Sequence, residues 1–483
     1  MRVARARDVA RNAPCVTRGM HHVLRPALLG LTLSWLTFGC GSDDPPPASA
    51  ACDVDAQSGC AAGLACEKVE GGTTACFAPV FVEGRVLVAS DGKTGIANAR
   101  VVGRDESGGL ASRDVATSSA DGGYRLAIPA QRKADGTPIL GKVALRADAA
   151  GYATFPSGLR VALPIDVAAP TKAADGSYVI KNPSTDVGLD AIAAAGLGTV
   201  SGVVKAPLSA GTLVVTGGAS GIAGRDGSFT VFNVPAGSQE VRGYQKGLQL
   251  KPATAAVAAG AETKGVELLA DAGALAVVTG DVSFVNAGSS TTTVVLVVKS
   301  TFNVALARGE VPKGLRTTVS GGKYSLSDVP VGSYVVLAAF ENDDLVRDPD
   351  TTIGGTAIQS IDVGNAAVSV PGFKITGALA VVRPGATNPE PVSGTPTFEW
   401  ADDSSEDGYE VVVYDTFGKE IWRKVDVPGV SGAKTVTTTY AGPALTPGSY
   451  YQFRALSFRD KGKGGGKTYI SMTEDLKGVF IAK

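Results

Sequence analysis

The sequence of 483 residues is poor in histidine, cysteine and methionine, with two, six and three residues of each. Charged residues make up only 19%, and 45 lysines and arginines are balanced by 46 acids. A net charge of −1 therefore argues against a broad basic surface for nucleic acid. Glycine is abundant, at 62 residues, but it has no three-residue period, which excludes a collagen-like chain. A hydrophobic content of 44% is too high for wholesale disorder.

Residues 1–39 have the pattern of an export signal. Six arginines and one aspartate precede an apolar run over residues 26–38, which ends before Gly39 and Cys40. A basic head, a short apolar run and a small residue at its end are typical of a signal peptide. The run is too short to span a bilayer, and no later stretch approaches the roughly 20 apolar residues that a membrane helix needs. Export across a membrane is therefore expected.

The end of this signal, Leu36-Thr-Phe-Gly-Cys40, resembles the lipobox of bacterial lipoproteins. The resemblance implies cleavage before Cys40 and attachment of a lipid to that cysteine. Thr37 and Phe38 depart from the usual lipobox residues, and the alternative is a plain signal peptide that is cut elsewhere. Residues 40–50 form a polar, proline-rich spacer that is suited to separate folded domains from a membrane.

Removal of residues 1–39 would leave the mature chain without histidine, because His21 and His22 both lie there, whether translation starts at Met1 or at Met20. It would also change the net charge from −1 to −6, since those residues carry six arginines against one aspartate. Without histidine, a Ser-His-Asp or Cys-His site and a histidine-bound metal are excluded. We therefore expect a protein that is not an enzyme and that has no cofactor or metal site.

Four of the six cysteines lie close together in residues 51–79. An even number of closely spaced cysteines in an exported segment is typical of disulfides, and two bridges would stabilise a module too small for a hydrophobic core. Four cysteines allow three pairings, and the spacing does not choose among them. The alternative is a zinc site, although the segment has no Cys-x2-Cys pair. The predicted disulfide cysteines are Cys52, Cys60, Cys66 and Cys76.

From residue 80 onward, short runs of valine, leucine, threonine and aromatic residues are broken every 8–12 residues by glycine or proline. This rhythm, without any long helical period, is typical of antiparallel β-sandwiches. Three stretches share a tight hairpin whose turn needs a positive φ, supplied by Gly122, Gly227 and Gly322. These glycines are 105 and 95 residues apart, the size of one small sandwich. The residues expected to point inward after each turn are Tyr124 and Leu126, Phe229 and Val231, and Tyr324 and Leu326.

The repeated pattern resembles the carboxypeptidase regulatory-like, or transthyretin-like, domain. The first copy matches best, with Glu83-Gly-Arg-Val at its start and Thr117-Ser-Ser-Ala-Asp-Gly-Gly-Tyr-Arg-Leu126 at its hairpin, although Asn98 replaces a family glycine. The later copies match mainly through their second halves. The resemblance implies accessory domains without catalytic residues, which act as spacers or binding platforms in a superfamily that includes carbohydrate binders. The expected domains are 80–196, 197–272 and 273–372.

Residues 373–483 resemble a fibronectin type III domain. In this resemblance Trp400 is the core tryptophan, and Leu445-x-Pro-Gly-x-x-Tyr451 is the tyrosine corner, whose hydroxyl bonds to nearby backbone. We expect these aromatic residues to be buried, while the alternative is an exposed platform for stacking sugars. The other positions expected to point inward are Tyr409, Val411, Phe453 and Ala455.

Four matches to catalytic or ligand-binding motifs are interpreted as turns or loops. Ser320-Gly-Gly-Lys323 and Ser431-Gly-Ala-Lys434 fit Ser-x-x-Lys but lack the other motifs of penicillin-binding enzymes. Residues 461–468 have a lysine where a phosphate-binding loop begins with glycine. The acidic residues of 402–408 resemble the start of a calcium loop, but Tyr414 stands where its bidentate glutamate would be.

The sequence as a whole predicts an all-β fold, a tandem array of Greek-key-type β-sandwich domains after a small disulfide-rich module. We interpret the protein as a non-enzymatic, lipid-anchored component of a bacterial cell envelope, at the outer membrane or cell surface, with its sandwiches arranged as a rod. The array would serve as a structural, adhesive or binding surface. Its expected partners are the membrane, through the lipid at Cys40, and a polysaccharide or protein ligand, but no nucleic acid. The alternative function is that of a carbohydrate-binding accessory protein.

Overall fold

The computed structural model describes residues 52–54, 57–105, 110, 112–159, 161–285, 291–339, 345–346, 358–403, 405–460, 462 and 466–483. The predicted signal peptide and Cys40 lie outside these residues. The described residues belong to one compact unit, Ser49–Lys483. They form no α-helix, and hence none that is long and apolar enough to cross a bilayer.

Short strands form almost all of the regular structure, as the sequence predicted. Two 3-10 turns, Pro183–Thr185 and Lys299–Thr301, interrupt them. The all-β prediction is therefore confirmed. The strands of the described residues are β1 Ala65–Lys68, β2 Thr74–Phe77, β3 Val80–Val88, β4 Arg100–Arg104, β5 Ala116–Thr117, β6 Gly123–Ile128, β7 Gln131–Arg132, β8 Pro138–Ile139, β9 Ala144–Asp148, β10 Thr171–Lys172, β11 Tyr178–Ile180, β12 Val187–Leu189, β13 Leu197–Lys205, β14 Leu213–Thr216, β15 Ala219–Ile222, β16 Ser228–Pro235, β17 Gly237–Tyr244, β18 Ala253–Val257, β19 Glu262–Leu269, β20 Ala276–Val285, β21 Thr291–Val298, β22 Arg316–Ser320, β23 Lys323–Val329, β24 Gly332–Ala339, β25 Leu345–Val346, β26 Gln359–Val363, β27 Val368–Gly377, β28 Val381–Arg383, β29 Glu390–Val392, β30 Thr397–Ala401, β31 Gly408–Asp415, β32 Glu420–Pro428, β33 Thr435–Thr439, β34 Tyr450–Asp460, β35 Lys467–Met472 and β36 Val479–Ala482.

The three repeats share one arrangement of strands. In each, the opening strand is antiparallel to a hairpin strand on one side and parallel to the closing strand on the other, giving β6-β3-β12, β16-β13-β19 and β23-β20-β27. A second set of strands pairs as β5-β4-β9, β15-β14-β17-β18 and β22-β21-β24-β26, and in the first repeat the additional strand β11 also lies parallel to β3. The parallel pair departs from the predicted antiparallel pattern, because the chain crosses to the other sheet before its closing strand returns. In the third repeat β27 runs to Gly377, past the boundary expected at 372.

The repeated hairpin has the predicted geometry. Gly122, Gly227 and Gly322 at its turn have φ values of 84°, 78° and 92°, which residues with a Cβ rarely adopt. All of the residues predicted to point inward after these turns are 5% exposed or less. The glycine signal therefore marks the turn, and the alternation that follows it marks the core face of the strand.

A glycine in each opening strand lies directly opposite the aromatic residue of the hairpin. A Cβ added at these glycines would lie 3.0, 2.9 and 2.8 Å from a ring carbon of the opposing residue, so the ring covers bare backbone. This contact gives a physical reason for the glycine that begins each repeat, since any side chain there would displace the ring. The pairs are Gly84 and Tyr124, Gly202 and Phe229, and Gly280 and Tyr324.

The cysteine-rich module contains two disulfides, Cys52–Cys66 and Cys60–Cys76. The hairpin of β1 and β2 places Cys66 directly opposite Cys76, and each of them bonds to a cysteine of the preceding loop. The structure thus has one of the three pairings that the spacing allowed. Zinc binding would require these cysteines to be reduced.

A buried ion-pair group fastens this module to the first sandwich. Glu67 of β1, only 1% exposed, accepts a bond from Arg113 Nη2 at 2.6 Å and pairs through its other oxygen with Arg132 Nε. Arg132 also donates to the backbone oxygen of Ala78 at 2.7 Å and lies over the ring of Phe77. This buried contact therefore holds the module against the first sandwich. It adds to the limited stability that the small interior of the module can supply.

The C-terminal residues form the sheets β28-β30-β33 and β29-β36-β34-β31-β32, with β35 beside β34. Trp400 is fully buried and lies edge-to-face against Tyr409, with 5.4 Å between ring centres. The backbone N–H of Thr446 donates to the hydroxyl oxygen of Tyr451 at 2.8 Å, the contact expected of a tyrosine corner. The other positions predicted to point inward, Tyr409, Val411, Phe453 and Ala455, are 0% exposed.

The first sandwich contacts all three later domains, so the sandwiches do not follow one another as the predicted rod. Asn233 of the second repeat accepts a hydrogen bond from backbone of the first at 2.8 Å. Arg146 of the first repeat pairs with Glu310 of the third at 2.6 Å. Tyr450 of the C-terminal domain donates to Asp166 of the first repeat at 2.7 Å. A rod would have contacts only between successive domains.

The second and third repeats also share apolar packing. All residues of β14 are buried, because Val214 faces the core of its own repeat while Leu213 and Val215 pack with the core of the third. Tyr244 of the second repeat meets Tyr334 of the third edge-to-face, with 5.9 Å between ring centres. A strand covered on both faces needs no alternation of polar and apolar residues.

The glycine–aromatic contact predicts that Gly202→Ala is strongly destabilising. The new Cβ would overlap the backbone oxygen of Val266 and press on the ring of Phe229, neither of which has room to move within the sheet. We expect a loss of about 1–3 kcal/mol in the free energy of unfolding, measured by urea denaturation. Gly364→Ala is the control, because a Cβ there meets open space and the φ is ordinary. Equal stability of the two variants would contradict the packing argument.

The buried pairing of Glu67 predicts that Glu67→Ala costs about 3–5 kcal/mol, because two arginines would be left buried without a carboxylate. Glu70→Ala, at an exposed position of the same module, should change stability by less than about 0.5 kcal/mol. Chemical denaturation with intact disulfides measures both. A Glu67→Ala variant as stable as Glu70→Ala would show that the module is not held by this contact.

Candidate ligand-binding cleft

A cleft of about 1070 Å³ lies between the first sandwich and the C-terminal domain. One wall consists of three turns of the first sandwich, around Asp91, Asp121 and Asp186. The facing wall consists of the turn at Asp415 together with residues 446–451, which include the predicted tyrosine corner. The cleft thus brings together segments from nearly opposite ends of the described chain.

Arg85 organises the wall that belongs to the first sandwich. Its guanidinium donates to the backbone oxygen of Asp121 and to that of Lys93, both at 3.0 Å from Nη2. Its backbone N–H donates to Asp186 Oδ1 at 2.7 Å. One residue of β3 therefore ties together all three turns of this wall. Because Arg85 is paired with groups of the protein itself, these bonds hold the wall in shape without needing a ligand.

Two carboxylates of this wall are fixed within their own turns. Asp91 accepts bonds from the hydroxyl and the backbone N–H of Thr94, at 2.6 and 3.0 Å, and these bonds lower the pKa of Asp91 to about 2. Asp121 accepts bonds from the Ser119 hydroxyl at 2.6 Å and from backbone, which lower the pKa of that carboxyl as well. Both groups remain ionised at any physiological pH. Their oxygens define the turns and offer acceptors at the rim of the cleft.

Two other carboxyl groups, one on each wall, have pKa values that are raised instead of lowered. Burial raises the pKa of Asp186, although the hydrogen bond from the Arg85 backbone opposes this effect. Burial also raises the pKa of Asp415, against the bonds it accepts from the backbone N–H groups of Lys419 and Phe417, both at 2.9 Å. Asp186 and Asp415 are half-buried, whereas Asp91 and Asp121 are exposed, so the first two are the better candidates to bond to a ligand.

Phe417 fixes the two walls relative to each other. Its ring lies against the bare backbone of Gly188 in β12, where an added Cβ would be 2.6 Å from the ring carbon Cγ. A second contact nearby, from the Tyr450 hydroxyl to Asp166, joins the same two domains. Burial and this bond both raise the pKa of Tyr450, so its hydroxyl keeps its proton at physiological pH. The two domains are consequently in direct contact beside the cleft, so the cleft is not a gap between independent domains.

The chemistry of the cleft is that of hydrogen bonding. Its described lining residues offer carboxylates, the exposed ammonium groups of Lys93 and Lys181, and the hydroxyls of Thr117 and Ser449. The lining contains five carboxyl groups and four cationic side chains, so neither a strongly cationic nor a strongly anionic ligand is favoured. Such a surface suits a ligand with many hydroxyl or amide groups.

The alternative of an exposed aromatic platform in the C-terminal domain is not supported by the packing. Trp422 is half-buried and packs against Phe398 and Tyr440, with ring centres 6.2 and 5.2 Å away. Trp400 is fully buried. None of the phenylalanine, tyrosine and tryptophan side chains that the structure describes is fully exposed. The prediction that these aromatics pack in the core is confirmed.

Three of the four motif matches in the sequence lie in turns and loops, as interpreted. Residues 320–323 form the tight turn between β22 and β23, and residues 431–434 connect β32 to β33. The acidic run joins β30 to β31, and Asp402 and Asp403 accept bonds from the hydroxyls of Tyr409 and Ser457. The glycine-rich residues between β34 and β35 fall largely outside the described residues.

The cleft was not found by sequence reasoning. Its residues belong to turns that are separately ordinary, such as Asp91 with Thr94 and Ser119 with Asp121, and only the docking of two distant domains makes them face one another. The one local signal is that Asp91, Asp121 and Asp415 each accept a hydrogen bond from the backbone of their own turn. That pattern identifies a turn, but it does not predict which distant segment packs opposite the turn.

No protein-family model matches the chain, and no curated protein matches it. Solved structures with some similarity include the Bacillus anthracis TIE protein, at 10% identity and TM-score 0.17 over 88% of this chain and 71% of that one. The major pilin subunit of Bacillus cereus has 10% identity and TM-score 0.16, over 62% and 99%. A DUF3823 family protein from Parabacteroides merdae has 11% identity and TM-score 0.20, over 44% and 100%. TM-scores this low carry no argument about the fold or function of this chain.

Proposed function

We propose that this chain is a non-enzymatic, lipid-anchored protein of the bacterial cell envelope, whose docked β-sandwiches serve as a structural, adhesive or binding surface. The observation that carries the proposal is the set of buried contacts between domains, such as Arg146 with Glu310 and Tyr450 with Asp166. These contacts make a fixed scaffold, which suits a protein that presents a surface. The cleft between the first sandwich and the C-terminal domain is the site proposed for a ligand.

The anchor is proposed at Cys40, from the lipobox-like sequence and the spacer of residues 40–50. Cys52 lies twelve positions after Cys40, and a fully extended chain of that length reaches about 40 Å. The domains would therefore stay close to the membrane while remaining free to face outward. The two disulfides agree with an exported location, because disulfides persist in oxidising compartments.

The domain identities are proposals that rest on the resemblances in the sequence. The shared strand order of the three repeats and their glycine–aromatic pairs support treating them as copies of one domain, of the carboxypeptidase regulatory-like kind. The bond between Thr446 and Tyr451 supports a fibronectin type III-like C-terminal domain. The proposed boundaries are 80–196, 197–272, 273–372 and 373–483, except that β27 carries the third repeat on to Gly377.

The proposed ligand is a polysaccharide or a protein segment, bound through hydrogen bonds in the cleft. Hydroxyl or amide groups of either would bond to the charged side chains that line the cleft, including the half-buried carboxyls of Asp186 and Asp415. The alternative, a carbohydrate-binding accessory protein, would use this same surface. It would have to bind sugars mainly by hydrogen bonding, since the described aromatic side chains are buried or half-buried.

The anchor predicts that Cys40→Ser prevents lipid attachment. Cells expressing this variant should contain an unprocessed or soluble protein that incorporates no labelled palmitate, whereas the parent chain should be labelled and remain with the membranes. Cys15→Ser is the matched control, because it changes a cysteine within the predicted signal that would be removed. Labelling of the Cys40→Ser variant to the level of the control would overturn the anchor.

The cleft predicts that Lys93→Glu with Lys181→Glu weakens ligand binding by at least about tenfold, the equivalent of about 1.4 kcal/mol. Binding would be measured with envelope polysaccharides on an array and with envelope extracts in a pull-down with the mature chain. Lys251→Glu with Lys264→Glu, at two exposed positions of the second repeat, is the charge-matched control and should bind like the parent. Equal binding by both variants would place the ligand outside the cleft, and no binding by the parent would remove the binding function.

A further inference from the structure

A further pocket, of about 580 Å³, lies between the second and third repeats. One side is formed by β17 and the turn between β14 and β15, and the other by the ends of β21, β24 and β26. All of its lining residues belong to the described part of the chain. The volume is that of a small-molecule site, and the lining shares no residue with the cleft beside the first sandwich.

Packing between the two repeats fixes the walls of this pocket. The outward face of β14 belongs to the core of the third repeat. The ring of Tyr244 in β17 lies against the bare backbone of Gly332 in β24, where an added Cβ would be 2.7 Å from the ring carbon Cε1. A Cβ added at Gly218 would be 3.2 Å from the backbone oxygen of Ser300. The pocket therefore keeps its shape without needing a ligand.

Tyr244 supplies the pocket with a buried hydroxyl that has no partner in the described protein. The residue is 5% exposed, and its hydroxyl makes no hydrogen bond to any residue that the structure describes. Tyr334, whose ring meets Tyr244 edge-to-face, differs because its hydroxyl donates to the backbone oxygen of Pro330 at 2.9 Å. Burial raises the pKa of Tyr244, so its hydroxyl keeps its proton at neutral pH. A ligand that bonds to this hydroxyl would satisfy a polar group that burial otherwise leaves unpaired.

The charged groups of the lining favour a neutral ligand. Arg242 donates from Nη2 to Glu240 at 3.1 Å and pairs with the same carboxylate through Nε, so these two charges compensate each other. Ser333 donates to Asp362 Oδ1 at 2.5 Å, which leaves Oδ2 as an acceptor. Asp362 is exposed, so water screens its charge and it offers little attraction to a cation.

The strands around the pocket argue against an extended peptide as its occupant. β17 is paired with β14 and β18, and β24 is paired with β21 and β26. A peptide that adds a strand to a sheet needs an edge with unpaired backbone groups. Neither β17 nor β24 offers such an edge, so a compact ligand suits the pocket better.

We propose that this pocket binds a neutral saccharide unit, with the hydroxyl of Tyr244 bonded to a hydroxyl of the sugar. A sugar hydroxyl both donates and accepts, as the tyrosine hydroxyl does, so the two can pair in either direction. Asp362 Oδ2 accepts from a second sugar hydroxyl. Val215, Val298 and Val363 line the pocket with apolar surface for the C–H groups of the ring. The site is separate from the cleft, and it depends neither on the ligand proposed there nor on the lipid anchor.

The test uses the full mature chain with intact disulfides, titrated at pH 7 with glucose, N-acetylglucosamine and the β-1,4-linked disaccharide of each. Calorimetry should show saturable binding of at least one of the four saccharides. Sodium acetate and methylammonium chloride are the charged probes, and neither should displace the bound saccharide. No saturable binding of any saccharide to the parent chain would overturn the proposal, and so would its displacement by a charged probe.

Two tyrosine variants separate ligand binding from a structural role. Tyr244→Phe removes a hydroxyl that has no described partner, so it should leave the Tm unchanged and weaken saccharide binding at least about fivefold, as expected for one hydrogen bond. Tyr334→Phe is the matched control, because its hydroxyl is bonded to Pro330 and the residue does not line the pocket. It should lower the Tm and bind the saccharide like the parent. Equal saccharide affinity of the two variants would overturn the proposal.

A second pair of variants tests the opposite wall at exposed positions, where folding is not at risk. Asp362→Ala should weaken saccharide binding at least about threefold, because it removes the acceptor. Asp281→Ala, at an exposed aspartate elsewhere in the third repeat, is the control and should bind like the parent. Equal affinity of these two variants would remove Asp362 from the site and contradict the proposed geometry.

The cleft variant Lys93→Glu with Lys181→Glu distinguishes this pocket from the cleft. It should bind the saccharide like the parent, whatever it does to ligands of the cleft. Loss of saccharide binding in the cleft variant, together with full binding by Tyr244→Phe, would place the sugar in the cleft and overturn the proposal.

Discussion

Pairing of buried arginines with carboxylates determines how the domains of this protein are arranged. Glu67 must meet Arg113 and Arg132, and Arg146 must meet Asp148 and Glu310. An arginine buried without its carboxylate costs several kcal/mol, so any other docking geometry would be strongly disfavoured. The same pairs add little net stability compared with apolar packing of equal volume. Their role is to select one arrangement from among those that apolar surfaces alone would allow.

Apolar packing supplies the stability within this arrangement, and its form differs inside and between repeats. Inside each repeat, an aromatic ring from the hairpin strand covers the glycine of the opening strand, as Phe229 covers Gly202. Between the second and third repeats, Leu213 and Val215 extend one core into the next. Because β14 is covered on both faces, the second repeat has no exposed face there and cannot be separated from the third without exposing that strand.

Local features of the fold could be predicted from the sequence, and arrangements between distant segments could not. The turn at Gly122 depends on one positive φ, the inward positions of Trp400 and Phe453 depend on alternation, and the hydroxyl contact of Tyr451 depends on residues five positions away. Each is decided by neighbours in the chain. The disulfide pairing, the parallel closing strands and the cleft are decided by which distant segments meet, and a single sequence contains no record of that. The expectation of a rod failed for this reason, since it assumed that domains adjacent in sequence are the only ones in contact.

The first sandwich has a special position, because it holds one wall of the cleft and also carries Arg146 at the junction of the repeats. Its wall is tied together by Arg85, and its place opposite the C-terminal domain is fixed by Phe417 on Gly188. The side chains in the cleft are therefore held at set distances before any ligand enters, which reduces the entropy lost on binding. In a rod of freely jointed domains, the two walls would have to be brought together each time a ligand binds. The contacts of Phe417 with Gly188 and of Tyr450 with Asp166, which dock the C-terminal domain, are therefore also what makes the cleft a preformed surface.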